Sequence, residues 1–305
     1  MKRGEVAGAG GAGAAAGWAK VLLFVVPALW STNYVIARLA DGVIGPHALA
    51  LGRWGLAALL LLPFVWRPLL RDRHLWLREW KQLLLLGTLG MYVCGAWVYQ
   101  AGKSTSSTNI ALIYAVTPVG IAVASAWMLH EPLRRSQQFG IALAFAGALF
   151  VVTRGDPMVL LQMRFAAGDF WIMAAAASWI AYSVLLRKWP SALGPAERLV
   201  AIMAGGLVLL IPGALVEALW TAEPSVGAAA WGLIVLAAVV PGVASYSAYS
   251  YLQRELGAAR TALMLYLAPV YGAGFAWWVL DERPGWHHLV GAMLILPSIW
   301  LATRR

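Results

Sequence analysis

Trp30, Ser31, Asn33 and Tyr34 stand together around the end of an apolar run, Val21–Ile36. Two physical readings fit such a cluster. Ser and Asn side chains hydrogen-bond neighbouring helices where water is absent, and donors and acceptors between aromatic walls also make a site for a small polar molecule. The same mixture recurs as Tyr92, Trp97, Tyr99 and Gln100, as Asn109, Tyr114 and Thr117, as Ser178, Trp179 and Tyr182, and as Ser245, Tyr246, Tyr249 and Ser250. Tyr246, Tyr249 and Ser250 fall at i, i+3 and i+4, hence on one helical face, which is expected to point inward because a lipid-facing stripe rarely carries so many hydroxyls. The candidate substrate-binding residues are Trp30, Asn33, Tyr34, Tyr92, Tyr99, Gln100, Tyr114, Trp179, Tyr182, Tyr246, Tyr249 and Ser250. Their chemistry is recognition. The sequence has no phosphate-binding loop, HExxH, Cys/His metal spacing or nucleophile elbow, so no catalytic residue, metal or cofactor is expected. The single cysteine, Cys94, has no partner for a disulfide within the chain.

Those residues need elements to carry them, and composition dictates which. Charged residues make up 12% of the chain and hydrophobic ones 61%, against about 25% charged in soluble domains. Lipid must therefore be the solvent for most of the surface. Only helices and closed barrels satisfy every backbone group there, and the unbroken apolar runs are too long for barrel strands, which alternate. At about 20 residues per crossing, ten helices are expected: Trp18–Ala40, Pro46–Trp66, Trp80–Ala101, Ser106–Leu129, Gln137–Thr153, Gly168–Arg187, Ala196–Val216, Ala228–Leu252, Ala258–Leu280 and Gly285–Ala302. Residues 1–17, rich in Gly and Ala, read as a disordered tail. With both termini in the cytoplasm, 17 of the 23 Lys and Arg face the cytoplasm, as the positive-inside rule requires. The net charge of +10 belongs to these loops, and no nucleic acid is expected. Trp66, Trp76, Trp80 and Trp286 at helix ends read as interfacial anchors.

The second half of the chain repeats the first. Trp30, Arg38, Gly45, Pro46 and Pro63 match Trp179, Arg187, Gly194, Pro195 and Pro212, each 149 residues on. Ala111, Leu112, Pro118, Val119, Glu131 and Gly140 match Ala262, Leu263, Pro269, Val270, Glu282 and Gly291, each 151 residues on. Five helices per repeat, residues 18–153 and 168–302, is an odd number, so the second copy must enter the membrane from the opposite face. Inverted repeats are an architecture of secondary transporters, with the substrate near mid-membrane between the copies. Pro118 and Pro269 each remove a helical hydrogen bond at equivalent points, giving either fixed kinks or a pair of gating hinges. Glu131 and Glu282, closing their helices at equivalent positions, read as structural partners.

Charge placement narrows the mechanism. All thirteen acidic residues fall in tails, loops or near helix ends, whereas ion-coupled carriers usually hold an ionisable group at mid-membrane. Facilitated diffusion without obligatory proton coupling is the expectation. Arg53, inside the second helix, is expected to snorkel outward; pairing with Asp41 or attraction of a substrate carboxylate near the entrance are the alternatives. No basic residue is otherwise expected at mid-membrane, which weighs against a nucleotide-sugar substrate.

The strings PALWSTNYVIAR (27–38), ALIYAVTPVGIAVASAWMLHEPL (111–133) and ALMLYLAPVYGAGFAWWVLDERP (262–284) resemble the drug/metabolite transporter superfamily, in its ten-helix branch built from two EamA-type five-helix domains. Around WSTNYVIAR and the Tyr-rich eighth helix the sequence is most similar to YddG-type amino-acid exporters of bacterial inner membranes. The resemblance implies export of aromatic and other amino acids or related metabolites down their gradient, by a uniporter in the bacterial inner membrane and not an enzyme. A multidrug or nucleotide-sugar carrier on the same fold is the alternative, and a membrane receptor or scaffold is a third reading that leaves the repeat without a purpose. The expected partners are a small-molecule substrate and the lipid bilayer, with a monomer as the working unit.

Overall fold

The computed structural model describes residues 6–105, 107–221, 226–280 and 285–303. Among them, nine helices are long and apolar enough to cross a membrane. They are α1 (Gly17–Ala40), α2 (Pro46–Arg71), α3 (Arg73–Gly102), α4 (Asn109–Met128), α5 (Arg135–Val152), α6 (Ala167–Lys188), α7 (Pro195–Trp220), α8 (Ala228–Leu256) and α9 (Ala258–Val279). A tenth, α10 (Trp286–Thr303), has 18 residues, about 27 Å of helix, just short of a hydrocarbon core of about 30 Å. Its apolar stretch, Trp286–Leu301, is shorter still, so the tenth expected crossing is a helix of marginal length. At the other end of the chain, helical backbone begins at Val6, inside the expected tail. Alanine has the highest helix propensity and extends α1 upstream of its membrane-crossing part. Glu282, expected at the end of α9, and the side chain of Tyr34 lie outside the described residues.

Large apolar side chains cover the outside of the bundle. Phe64, Trp127, Leu219, Trp220 and Trp278 are all exposed, an arrangement that only lipid makes favourable. Of the expected interfacial anchors, Trp66, Trp80 and Trp286 are exposed, while Trp76 is half-buried and donates its indole N–H to the Leu69 carbonyl at 3.1 Å.

The two halves share local structure as well as sequence. α2 and α7 both start at a Gly–Pro pair, with Gly45 (φ −65°, ψ 151°) and Gly194 (φ −60°, ψ 160°) extended just before the helix and proline at a position where its missing N–H costs nothing. α3 widens into a π-helix over Thr88–Trp97, and α8 does the same over Ala238–Ala244. α4 breaks between Ala115 and Thr117, immediately before Pro118. α9 tightens to a 3-10 helix over Leu263–Leu267, immediately before Pro269.

Packing follows the same exchange. α1 lies against α8 and α9, and α6 lies against α3 and α4; α2 packs on α7, and α5 packs on α10. Each half therefore completes the other. Small residues permit the closest crossings: a Cβ on Gly87 of α3 would overlap the backbone nitrogen of Gly206 on α7, and one on Gly147 of α5 would lie 2.9 Å from side-chain atoms of both Leu294 and Ile295 on α10.

Candidate functional site

A cavity of about 810 Å³ lies between the halves. Both contribute to its wall: Trp30, Asn33, Arg53, Tyr99, Tyr114 and Pro118 from the first, and Trp179, Tyr246, Tyr266 and Pro269 from the second. It opens toward the end where α1 turns into α2 and α3 turns into α4, through the exposed Asp41, Gly42, Gly102 and Lys103.

Its floor is aromatic. The Trp30 ring centroid lies 5.2 Å from that of Trp179, 5.6 Å from Tyr246 and 5.1 Å from Tyr249. Trp179 stacks on Tyr182 at 5.1 Å, and Trp54 meets Tyr246 edge-on at 4.7 Å. These separations suit offset and edge-to-face attraction between rings. Beneath the rings the bundle is closed. Ser183 shares a hydrogen bond with the Tyr249 hydroxyl at 2.8 Å, Gln253 donates to the same hydroxyl at 2.7 Å, and Arg187 on α6 approaches Glu131 beyond α4 at 3.7 Å.

The polar part of the wall is built around Arg53. It is 4% exposed, so the expected outward snorkel is corrected: seven residues into α2, about 10 Å along the helix, the side chain is enclosed by α1, α3 and α8. Its Nη1 donates to Asn33 Oδ1 at 3.3 Å and to the Tyr99 hydroxyl at 3.5 Å, and its Nη2 donates to the Pro241 carbonyl at 2.7 Å. Tyr99 donates to Asn33 Oδ1 at 2.6 Å. The guanidinium also sits 4.4 Å from the Trp54 ring centroid, within reach of a cation–π attraction.

The π-helices make these contacts possible. Changing the bonding step from i+4 to i+5 disturbs the ladder and leaves carbonyls available to side chains. Pro241, which has no N–H, lies within the α8 π-helix and offers its carbonyl to Arg53. In the α3 π-helix the Leu89 carbonyl accepts from Ser178 at 2.9 Å and the Gly90 carbonyl accepts from Tyr246 at 3.2 Å.

Trp30, Asn33, Tyr99, Tyr114, Trp179 and Tyr246 thus meet at one cavity, with both candidate hinge prolines in its wall. Tyr92, Gln100, Tyr182, Tyr249 and Ser250 do not line it. Tyr182 and Tyr249 are fully buried one turn below the floor, because α6 and α8 carry the face of Trp179 and Tyr246 onward into the closed end. Ser250 is half-buried beside them. Tyr92 is turned away toward His47 and Trp97, with ring centroids 6.2 and 5.9 Å distant. The π-helix turns each residue through a smaller angle than an α-helix does, so the seven-residue spacing from Tyr92 to Tyr99 no longer returns to the same face. Gln100, next to Tyr99, points away by the ordinary helical rotation. Arg53 is one of three basic residues in the cavity wall, with Arg38 and Lys103, and its place there agrees with the alternative in which it faces a substrate rather than the outer surface.

Buried carboxylates elsewhere are occupied by backbone N–H groups. Glu217, 6% exposed on α7, accepts from the N–H groups of His47 and Ala48 at 3.0 and 2.9 Å, capping the start of α2. Asp169, fully buried, accepts from Ala166 N–H at 2.7 Å and from Asn109 Nδ2 at 2.9 Å. Asp41 is the one acidic residue in the cavity wall among the described residues. No group of three His, Cys, Asp or Glu suited to a metal occurs among them.

Known proteins are similar to this chain in sequence and in fold. The chain is 28% identical over 243 residues to the uncharacterized transporter YyaM of Bacillus subtilis (strain 168), covering 78% of each chain. It is 26% identical over 254 residues to the uncharacterized inner membrane transporter YedA of Escherichia coli (strain K12), covering 81% of this chain and 78% of that one. A crystal structure superposes with a TM-score of 0.75 at 19% identity, over 93% of this chain and 96% of the other, a likeness of fold. The model of the EamA-like transporter family matches twice, over residues 17–153 and 166–304. With nearly the whole chain covered by two copies of that unit, this multi-span membrane protein belongs to the EamA-like transporter family.

Proposed function

We propose that the chain exports amino acids, aromatic ones and other small zwitterionic metabolites, across a bacterial inner membrane by alternating access. The observation that carries this reading is the aromatic-floored cavity, built from both halves and closed at one end. In this reading α10 completes ten crossings, the two repeats (residues 18–153 and 168–302) are inverted, and both termini are cytoplasmic. The cavity then faces outward, and the Glu131–Arg187 contact lies on the closed cytoplasmic side. The reciprocal packing of α1 on α8 and α9 and of α6 on α3 and α4 supports the inversion, because two copies related this way can exchange conformations. Trp30, Asn33, Tyr99, Tyr114, Trp179 and Tyr246 contact the substrate, Tyr182 and Tyr249 support the floor, and Pro118 and Pro269 act as hinges. Among the described residues the cavity has no buried carboxylate or histidine, which supports facilitated diffusion without obligatory proton coupling.

The test is counterflow of labelled phenylalanine and other amino acids in proteoliposomes. Accumulation driven only by unlabelled substrate on the far side, unchanged by a pH gradient, is expected. Absence of flux for every amino acid, with or without that gradient, contradicts the reading.

A further inference from the structure

Arg53 has no carboxylate partner among the described residues. Its acceptors are an amide oxygen, a phenol and a backbone carbonyl, two of them at the long distances of 3.3 and 3.5 Å. A guanidinium has five N–H donors; the buried Nε–H has no acceptor at all. An ion taken out of water is unfavourable unless an opposite charge offsets it. The chain places this one, 4% exposed, in the wall of the cavity between the halves.

Among the described residues the two buried carboxylates, Asp169 and Glu217, are committed at helix ends, and the one acidic residue of the cavity wall, Asp41, is exposed at its mouth, which leaves Arg53 open to a negative charge carried by a ligand. From this we infer that Arg53 is a specificity-determining residue that binds the carboxylate of the transported molecule, and that the site selects solutes joining a carboxylate to an apolar or aromatic body. Asn33 and Tyr99 hold the guanidinium in place from α1 and α3, and Pro241 holds it from α8. A carboxylate within reach gains charge-assisted hydrogen bonds, bidentate where the planar fork allows. The rings of Trp30, Trp179 and Tyr246 on the cavity floor receive the side chain. Aromatic amines without a carboxylate, and lipophilic cations, leave Arg53 uncompensated and are rejected.

This inference rests on the transport reading for its setting, but its test does not require amino-acid flux. Binding is measured directly on the full-length purified protein with three matched probes: phenylalanine, 3-phenylpropionate, which lacks the amine, and phenethylamine, which lacks the carboxylate. Both carboxylates are expected to bind at least about tenfold tighter than phenethylamine, as one charge-assisted contact supplies. Arg53→Gln should abolish that preference and Arg53→Lys should keep part of it, with the thermal transition checked for each variant. Equal or tighter binding of phenethylamine to the unaltered protein overturns the inference, as does failure of both carboxylates to bind. A preference retained in Arg53→Gln overturns it equally. If Arg53→Gln does not fold, the three-probe comparison on the unaltered protein and on Arg53→Lys decides. Absence of phenylalanine counterflow alongside a clear carboxylate preference would count against amino-acid export alone.

Discussion

At the scale of single residues, Trp30 is the side chain on which the floor of the cavity depends. Its ring touches Trp179, Tyr246 and Tyr249, bringing α1, α6 and α8 to one point. Replacing it with alanine removes several ring contacts, each worth about 0.5–1.5 kcal/mol beyond the area buried. Trp30→Ala is therefore expected to raise the KM for aromatic substrates by about three- to tenfold while the protein remains folded, read by counterflow kinetics beside a thermal melt. Unchanged kinetics would remove Trp30 from the site. Trp30, Asn33 and Tyr99 were legible in sequence because polar and aromatic residues are conspicuous inside apolar helices. Arg53 was visible but its destination was not, since outward snorkelling and inward burial start from the same helix position. The tertiary contacts with Asn33, Tyr99 and the Pro241 carbonyl distinguish them.

At the scale of elements, two kinds of join hold the helices in place. The first is fixed. Glu217 reaches from α7 to cap the start of α2, accepting two backbone N–H bonds and meeting His47 Nδ1 at 3.0 Å. Removing the carboxylate leaves buried donors unsatisfied, at a cost of about 1–3 kcal/mol. Glu217→Ala should lower the melting temperature in detergent clearly, and Glu217→Gln, which keeps an acceptor, should lower it less. The second join is adaptable: α4 and α9 are interrupted immediately before Pro118 and Pro269. If these breaks are hinges, Pro118→Ala and Pro269→Ala should each slow the maximal transport rate several-fold with little change in KM; a change confined to KM would favour fixed kinks. The helix positions themselves were legible, because long apolar runs leave little choice of structure in lipid. The π-helices over Thr88–Trp97 and Ala238–Ala244 were not, because no residue type encodes them: their loosened carbonyls are stabilised by partners on other helices, Ser178, Tyr246 and Arg53. Residue type alone marks Tyr92 as a candidate, and the packing around the π-helix turns it toward His47 and Trp97 instead.

At the scale of the whole molecule, the repeat organises everything else. Matching Trp30 with Trp179 and Pro118 with Pro269 in sequence anticipated that the corresponding helices would carry the cavity wall. The reciprocal packing of the halves gives that match a physical form. What sequence did not disclose is the direction in which the cavity opens, because in the proposed inverted arrangement two similar copies would allow an opening at either end. Here the contacts of Glu131 with Arg187 and of Gln253 with Tyr249 lie beneath the closed floor. In alternating access this floor opens in turn. The most direct measurement places a single cysteine at Ala268, a half-buried residue of the cavity wall, in a Cys94→Ala background. Its reaction with a membrane-impermeant thiol reagent is then followed from each side of oriented proteoliposomes. The account predicts reaction from both sides, with substrate altering the two rates in opposite directions; reaction from one side alone, whatever the substrate, would contradict it.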